Sequence, residues 1–170
     1  MTGFPARSET APYYHRYIDR VQSEDAIQAL ETQLRDLLSL FTTITEEKSL
    51  HRYAPDKWSI RQVLSHINDC ERLFVSRAFW FARGFTTPLP SFDQDVAAAG
   101  AHADASAWSA HVEEFLSIRK ASLSFFRNLP EDAWMRTGTA SDNPFTVRSL
   151  AYIAAGHAAH HVAIVQERYL

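Results

Sequence analysis

Apolar residues recur along the chain at steps of three and four, the period of an amphipathic helix. Over residues 23–41 they are Ile27, Leu30, Leu34, Leu37, Leu38 and Phe41. Ser23, Glu24 and Asp25 stand ahead of them. A capping side chain and negative charge there suit the unpaired N–H groups and dipole of a helix start. A second stripe follows Ser59-Ile60-Arg61-Gln62, which has the Ser-x-x-Gln spacing of a capping box. It runs through Val63, Leu64, Ile67, Leu73, Phe74, Phe79 and Trp80, and Arg83-Gly84 closes it. A third stripe covers 106–127 with Trp108, Val112, Phe115, Leu116, Leu123 and Phe126, and Pro130 follows its end. A fourth begins at Thr146 and shows Val147, Leu150, Ile153, Ala154, His157, His161, Ile164 and Val165 on one broad face. Residues 130–134 read as a short extra turn. The pattern predicts an all-α fold, a four-helix bundle.

The links between these helices run to about 15, 20 and 20 residues, longer than up-and-down bundles use. They imply crossovers, or loops that cover one end of the bundle. The most irregular link, 86–95, is a candidate functional loop. One internal echo stands out: Trp58-Ser59-Ile60-Arg61 against Phe145-Thr146-Val147-Arg148. Two similar helix starts account for it. The expected organisation is a single domain over 1–170, with 1–17 as an extended N-terminal arm.

Composition narrows the class. With 170 residues, 46% of them hydrophobic and 12% aromatic, the chain can bury a full core and is too apolar for disorder. One cysteine, Cys70, excludes an internal disulfide framework. A net charge of −3 offers no broad attraction to nucleic acid or to an acidic membrane surface. The start lacks the apolar run of a signal peptide. The weakly charged stretch 149–166 carries three histidines, and no segment matches the roughly 20 apolar residues of a bilayer span. The expectation is a cytoplasmic protein acting on a small molecule, with no nucleic-acid or membrane partner.

The chemistry lies in the histidines. His157 and His161 are i and i+4, about 40° apart on one helix face, so both imidazoles can reach one ion. His66 on the second helix shares its face with Cys70, Leu73 and Arg77, the face that points to the core. An inward histidine can equally be a hydrogen-bonded core residue. Three imidazoles buried together would each need a polar partner, however, and a shared metal satisfies all three. Three protein ligands with one open position are the pattern of a catalytic zinc site. His160 is about 60° off this face and reads as a surface or supporting residue. His15, His51, His102 and His111 lie in polar surroundings and read as solvated.

Other candidates are weaker. Asp69, at i+3 from His66, can hydrogen-bond a ligand imidazole or a metal-bound water, or pair with Arg72 or Arg61. Cys70 can ligate metal or pack as a small hydrophobe. Glu71 is about 140° from His66, which suits a salt bridge and not a ligand. Arg77 faces inward and can hold a substrate carboxylate or a structural ion pair. Asp93 and Asp95 can close over the site or cap the next helix.

The segment Lys57-Trp58-Ser59-Ile60-Arg61-Gln62-Val63-Leu64-Ser65-His66 with Asp69 and Glu71 resembles the DinB/YfiT-like superfamily. So do the Pro88-Leu89-Pro90-Ser91-Phe92-Asp93-Gln94-Asp95 loop and the closing Gly156-His157-Ala158-Ala159-His160-His161. The resemblance covers about 18–170. It implies a bundle with up-down-down-up connectivity, and His66, His157 and His161 as ligands of one divalent ion, zinc or nickel. It also implies a homodimer. Relatives of this kind include thiol transferases, so the resemblance points to thiol-dependent S-transfer onto a small electrophile, with a low-molecular-weight thiol as cosubstrate. Hydrolysis by a metal-activated water is the alternative, and a metal-binding or dimerisation module without turnover is a third reading.

Overall fold

The computed structural model describes residues 2–170; Met1, the first residue of the expected arm, lies outside them. The described residues form α1 (Pro12–Ile18), α2 (Ala26–Phe41), α3 (Ile60–Ala82), α4 (Gln94–Ala101), α5 (Trp108–Arg127) and α6 (Val147–Arg168). A hairpin of β1 (Thr137–Ala140) and β2 (Asn143–Thr146) precedes α6. The four long helices are those the periodicity predicts, and Gly84, at φ 82°, follows the end of α3 as its left-handed cap. The short turn expected at 130–134 is a 3-10 segment, Glu131–Met135.

The caps explain where two helices start. Ser59 Oγ accepts from the Gln62 N–H at 3.1 Å, and Gln62 Oε1 accepts from the Ser59 N–H at 3.0 Å. Thr146 and Ser149 repeat the exchange at α6, at 2.9 and 3.1 Å. The sequence echo is thus a repeated device. Each capping hydroxyl also donates to a carboxylate from a distant segment, Ser59 to Asp104 and Thr146 to Glu9. Arg61 and Arg148, two residues after each cap, bind Glu46 and Glu9.

Around the bundle the order is α2, α5, α3, α6, so α2 lies diagonal to α3 and α5 diagonal to α6. The starts of α3 and α5 lie together, since Arg61 Nη1 donates to Ser106 O at 2.5 Å. The end of α2 meets the start of α5, where Trp108 Nε1 donates to Phe41 O. The end of α6 meets the start of α3, where Tyr169 Oη donates to Trp58 O. Hence α2 and α6 run one way and α3 and α5 the other: up-down-down-up. Long links follow from this arrangement, because α3 and α5 are parallel and their connection must return the full length of the bundle.

The extended arm expected over 1–17 is a correction. A 3-10 turn at Arg7–Glu9 and the two-turn helix α1 replace it. Tyr17 and Ile18 are buried against α6. The approach needs Gly156: a Cβ there would sit 2.0 Å from the Tyr17 carbonyl oxygen. Glycine at this position lets the α1 backbone lie directly on α6, beside His157.

Candidate metal centre

Because α3 and α6 are antiparallel neighbours, the second turn of α3 faces the middle of α6. His66 Nε2 lies 3.1 Å from His157 Nε2, which lies 3.1 Å from His161 Nε2. The ligand atoms of the three histidines all fall within 4.8 Å of one another. His66 and His157 are buried and His161 is half-buried. Aromatic rings wall them in: Trp58 on His66, and Tyr17 and Phe74 on His157.

Burial sets the protonation state. It takes the His66 imidazolium pKa down to about 4, with the Asp95 carboxylate opposing. Burial, then the charges of His66, His160 and Arg16, take His161 down to about 3. His157 is held well below 6.5 by burial and by its two imidazole neighbours. All three rings are neutral at neutral pH, the state in which imidazole offers a lone pair.

Three neutral Nε2 atoms gathered in this way suit a cation better than they suit each other. At most one proton can sit between any two, and His157 Nε2 faces both of the others. Around a tetrahedral ion with metal–nitrogen bonds of about 2.0–2.1 Å, ligand nitrogens lie about 3.3 Å apart. The observed 3.1 Å separations are close to that edge. The residues present therefore fit a divalent ion.

The other candidates fall elsewhere. Of the two roles open to Asp69, the structure shows the ion pair: it meets Arg72 at 3.5 Å on the half-exposed flank of α3, and Arg72 also binds Glu114 at 2.6 Å. No hydrogen bond among the described residues joins Asp69 to an imidazole. Cys70 Sγ lies 3.7 Å from both ring nitrogens of His66, and burial pushes its thiol up to about 12, so it packs there as a neutral group. Glu71 forms a buried ion pair with Arg119. Asp93 caps α4, accepting from the Asp95 and Val96 N–H groups. Asp95 follows it in the first turn, where its charge reaches His66.

His111 corrects the expectation of solvation: it is buried, and its Nε2 donates to Ala103 O at 2.9 Å.

A cavity of about 270 Å³ opens beside the imidazoles. His66 and His157 form one part of its wall, Cys70, Leu73 and Phe74 another, and Tyr13, Tyr14, Tyr17, Phe92, Gln94, Arg77 and Ser141 the rest. A larger groove of about 710 Å³ between α2 and α6 contains none of the three histidines, so size alone does not mark the site. Phe92 and Gln94 come from the 86–95 loop marked in the sequence, whereas the tyrosines of α1 and Ser141 are wall residues the sequence reading missed. Tyr13, Tyr14 and Tyr17, at i, i+1 and i+4, were the available signal.

A family model described as the DinB superfamily matches residues 29–165, most of the chain and all three histidines. The chain belongs to the DinB superfamily. Among solved structures, it is similar to YfiT from Bacillus subtilis, described as a probable metal-dependent hydrolase with an unusual four-helix bundle topology. The match has a TM-score of 0.73 at 16% identity and covers 97% of this chain and 91% of that one. This likeness establishes the fold. No curated protein matches the sequence. No helix among the described residues is long and apolar enough to cross a membrane.

Proposed function

We propose that this DinB-superfamily protein is a metal-dependent hydrolase of a small-molecule substrate, with His66, His157 and His161 holding one divalent ion, zinc or nickel. The observation that carries the reading is the convergence of three neutral, largely buried Nε2 atoms on one point. The description of YfiT as a probable metal-dependent hydrolase supports it. An ion bound only by neutral ligands keeps its full charge and supplies Lewis acidity, enough to bring the pKa of a bound water or thiol towards neutrality.

The chain supplies the rest. Trp58, Phe74 and Tyr17 hold the rings in place and keep bulk water from their faces. The cavity beside His66 and His157 receives the substrate. Asp95 places a carboxylate whose field reaches His66, so it favours positive charge at the centre.

Thiol-dependent S-transfer is the second reading. The aromatic wall of Phe74, Phe92, Tyr13 and Tyr14 suits an apolar electrophile. Cys70 is buried with its thiol held protonated, so the attacking thiolate would come from a low-molecular-weight cosubstrate.

The test is a rate measurement on metal-free, zinc-loaded and nickel-loaded protein with an ester and amide panel, with and without glutathione or bacillithiol. Metal-dependent hydrolysis without thiol is the expected result. A rate that needs the thiol replaces hydrolysis with transfer, and no metal-dependent rate under any condition removes both.

A further inference from the structure

Three arginines are buried in this chain: Arg61, Arg77 and Arg119, exposed by 5, 3 and 0%. Taking a guanidinium out of water costs several kcal/mol unless an anion and hydrogen bonds compensate it. Two of the three follow that rule. Arg119 holds Glu71 through two parallel bonds of 2.7 Å and also donates to Leu30 O and Gln33 Oε1. Arg61 holds Glu46 and donates to Ser49, Asp104 O and Ser106 O.

Arg77 has no carboxylate partner among the described residues. One nitrogen, Nη2, donates to Pro90 O at 3.0 Å and to Ser141 Oγ at 2.8 Å, and the neutral Tyr14 hydroxyl is a further partner of the guanidinium. Its Nε is buried and has no hydrogen-bond partner. The side chain lines the same cavity as His66 and His157. Two separate segments are fixed around it. Leu89 exchanges hydrogen bonds with the hairpin, from Leu89 N to Thr139 O and from Ser141 N to Leu89 O. Ser141 and Asp142 sit at φ 50° and 58°, the left-handed region that residues with a Cβ enter at a cost. That turn presents the Ser141 hydroxyl to the guanidinium.

We propose that Arg77 is the anion anchor of the substrate cavity, and that the molecule bound beside the histidines carries a carboxylate. An arginine stays charged in proteins, and its planar fork matches a carboxylate. Helical rise puts the Arg77 and His66 Cα atoms about 16 Å apart on α3, and both side chains line the one cavity. The carboxylate is therefore held away from the three imidazoles, and the group that reacts lies several bonds from it. Phe74 and Leu73 line the space between and suit an apolar linker. The anchor's role in positioning a reacting group rests on the metal-dependent reading above; carboxylate binding itself does not.

The experiment is calorimetric titration of the full-length chain, zinc-loaded and metal-free, with ω-phenyl carboxylates from 3-phenylpropionate to 6-phenylhexanoate and their neutral amides. At least one acid is expected to bind about tenfold or more tightly than its amide, in both metal states. Arg77→Met is expected to erase the difference and Arg77→Lys to keep part of it. Thermal melts check that each variant folds, and the acid–amide comparison on the unmutated chain stands if Arg77→Met does not. Equal binding of acid and amide across the series, or unchanged acid affinity in a folded Arg77→Met, overturns the proposal. Acid binding that disappears with the metal and ignores Arg77→Met also overturns it, placing the carboxylate on the ion while sparing the metal-dependent reading. Metal content of each preparation, measured alongside, reports separately on that reading.

Discussion

Helix α3 contributes to two buried polar clusters, and the two are satisfied in different ways. On the side facing α5, Glu71 meets Arg119 and accepts a further bond from Ser122 Oγ at 2.8 Å. Charge is balanced by charge, and every partner belongs to the chain. On the side facing α6, His66 meets His157 and His161, three neutral rings with their Nε2 atoms turned on one another. Among the described residues neither a salt bridge nor a backbone carbonyl is offered to those nitrogens. Both clusters pay the cost of burying polar groups. The first is a closed structural unit, and the second has the donor set that could hold a cation. Burial of polar groups therefore does not by itself mark function; the lone pairs that three neutral rings turn towards one another are what set the second cluster apart.

The sharpest way to break the comparison is to remove one member from each cluster and read metal and stability separately. His157→Ala removes the central nitrogen. Elemental analysis should fall from about one metal per chain to near none, because two remaining imidazoles make a weak site. Glu71→Ala should do the reverse. Metal content should hold while stability falls by about 3–5 kcal/mol in chemical denaturation, the cost of stranding a buried guanidinium. If Glu71→Ala loses metal as completely as His157→Ala, the two clusters act as one, and the contrast fails.

Acid sharpens the same contrast. In the unfolded chain a histidine titrates near 6.5, whereas folded His66 titrates at about 4 and His161 at about 3. Between these values the unfolded state binds more protons than the folded one, so stability rises with pH across the window. The thermal midpoint of the metal-free protein should be level above about pH 6.5 and fall steadily as pH drops towards 4. His66→Gln should flatten part of that fall. A midpoint that ignores pH over this range would mean the rings are solvated in solution.

A smaller effect is expected where the fold supports the histidines without touching metal. Gly156→Ala forces a methyl against the Tyr17 backbone, since its Cβ would meet the carbonyl oxygen at 2.0 Å. Overpacking of this kind costs about 1–3 kcal/mol. α1 should lift from α6, so a limited-proteolysis cut near Tyr17 should appear in the variant before global unfolding.

How much of this was legible in the sequence differs by element. The four long helices carry full apolar stripes and caps, and their stripes already place His66, His157 and His161 inward. α1 is seven residues long, too short for a stripe to repeat. α4 is a run of alanines around Val96 and buries no residue. The hairpin turns through Ser141-Asp142 where an Asn-Gly pair would have signalled it, and Pro144 sits inside its second strand. His111 looked solvated because its partner, the Ala103 carbonyl, comes from the preceding 3-10 turn and carries no sequence signature. Arg77 was legible as inward but not as lacking a counter-ion, since that depends on segments 13 and 64 residues away.

Asp69 provides the smallest and most discriminating effect. One turn from His66 and two residues before Glu71, it stands between the two clusters in sequence and belongs to neither in space. It pairs with Arg72 at 3.5 Å, with side chains 32% and 49% exposed. Burial raises its carboxyl, while Arg72 pulls the other way. Solvent screens a pair this exposed, so Asp69→Asn should change stability by less than about 1 kcal/mol. Metal content should stay at the level of the unmutated chain, because no imidazole depends on this carboxylate for its orientation. A supporting carboxylate behaves otherwise: its loss weakens metal affinity by about 10–100-fold. Competition with a chelator of known affinity separates the two outcomes. A drop of that size in Asp69→Asn would join Asp69 to the histidine cluster and show that the centre draws on a partner within the chain after all.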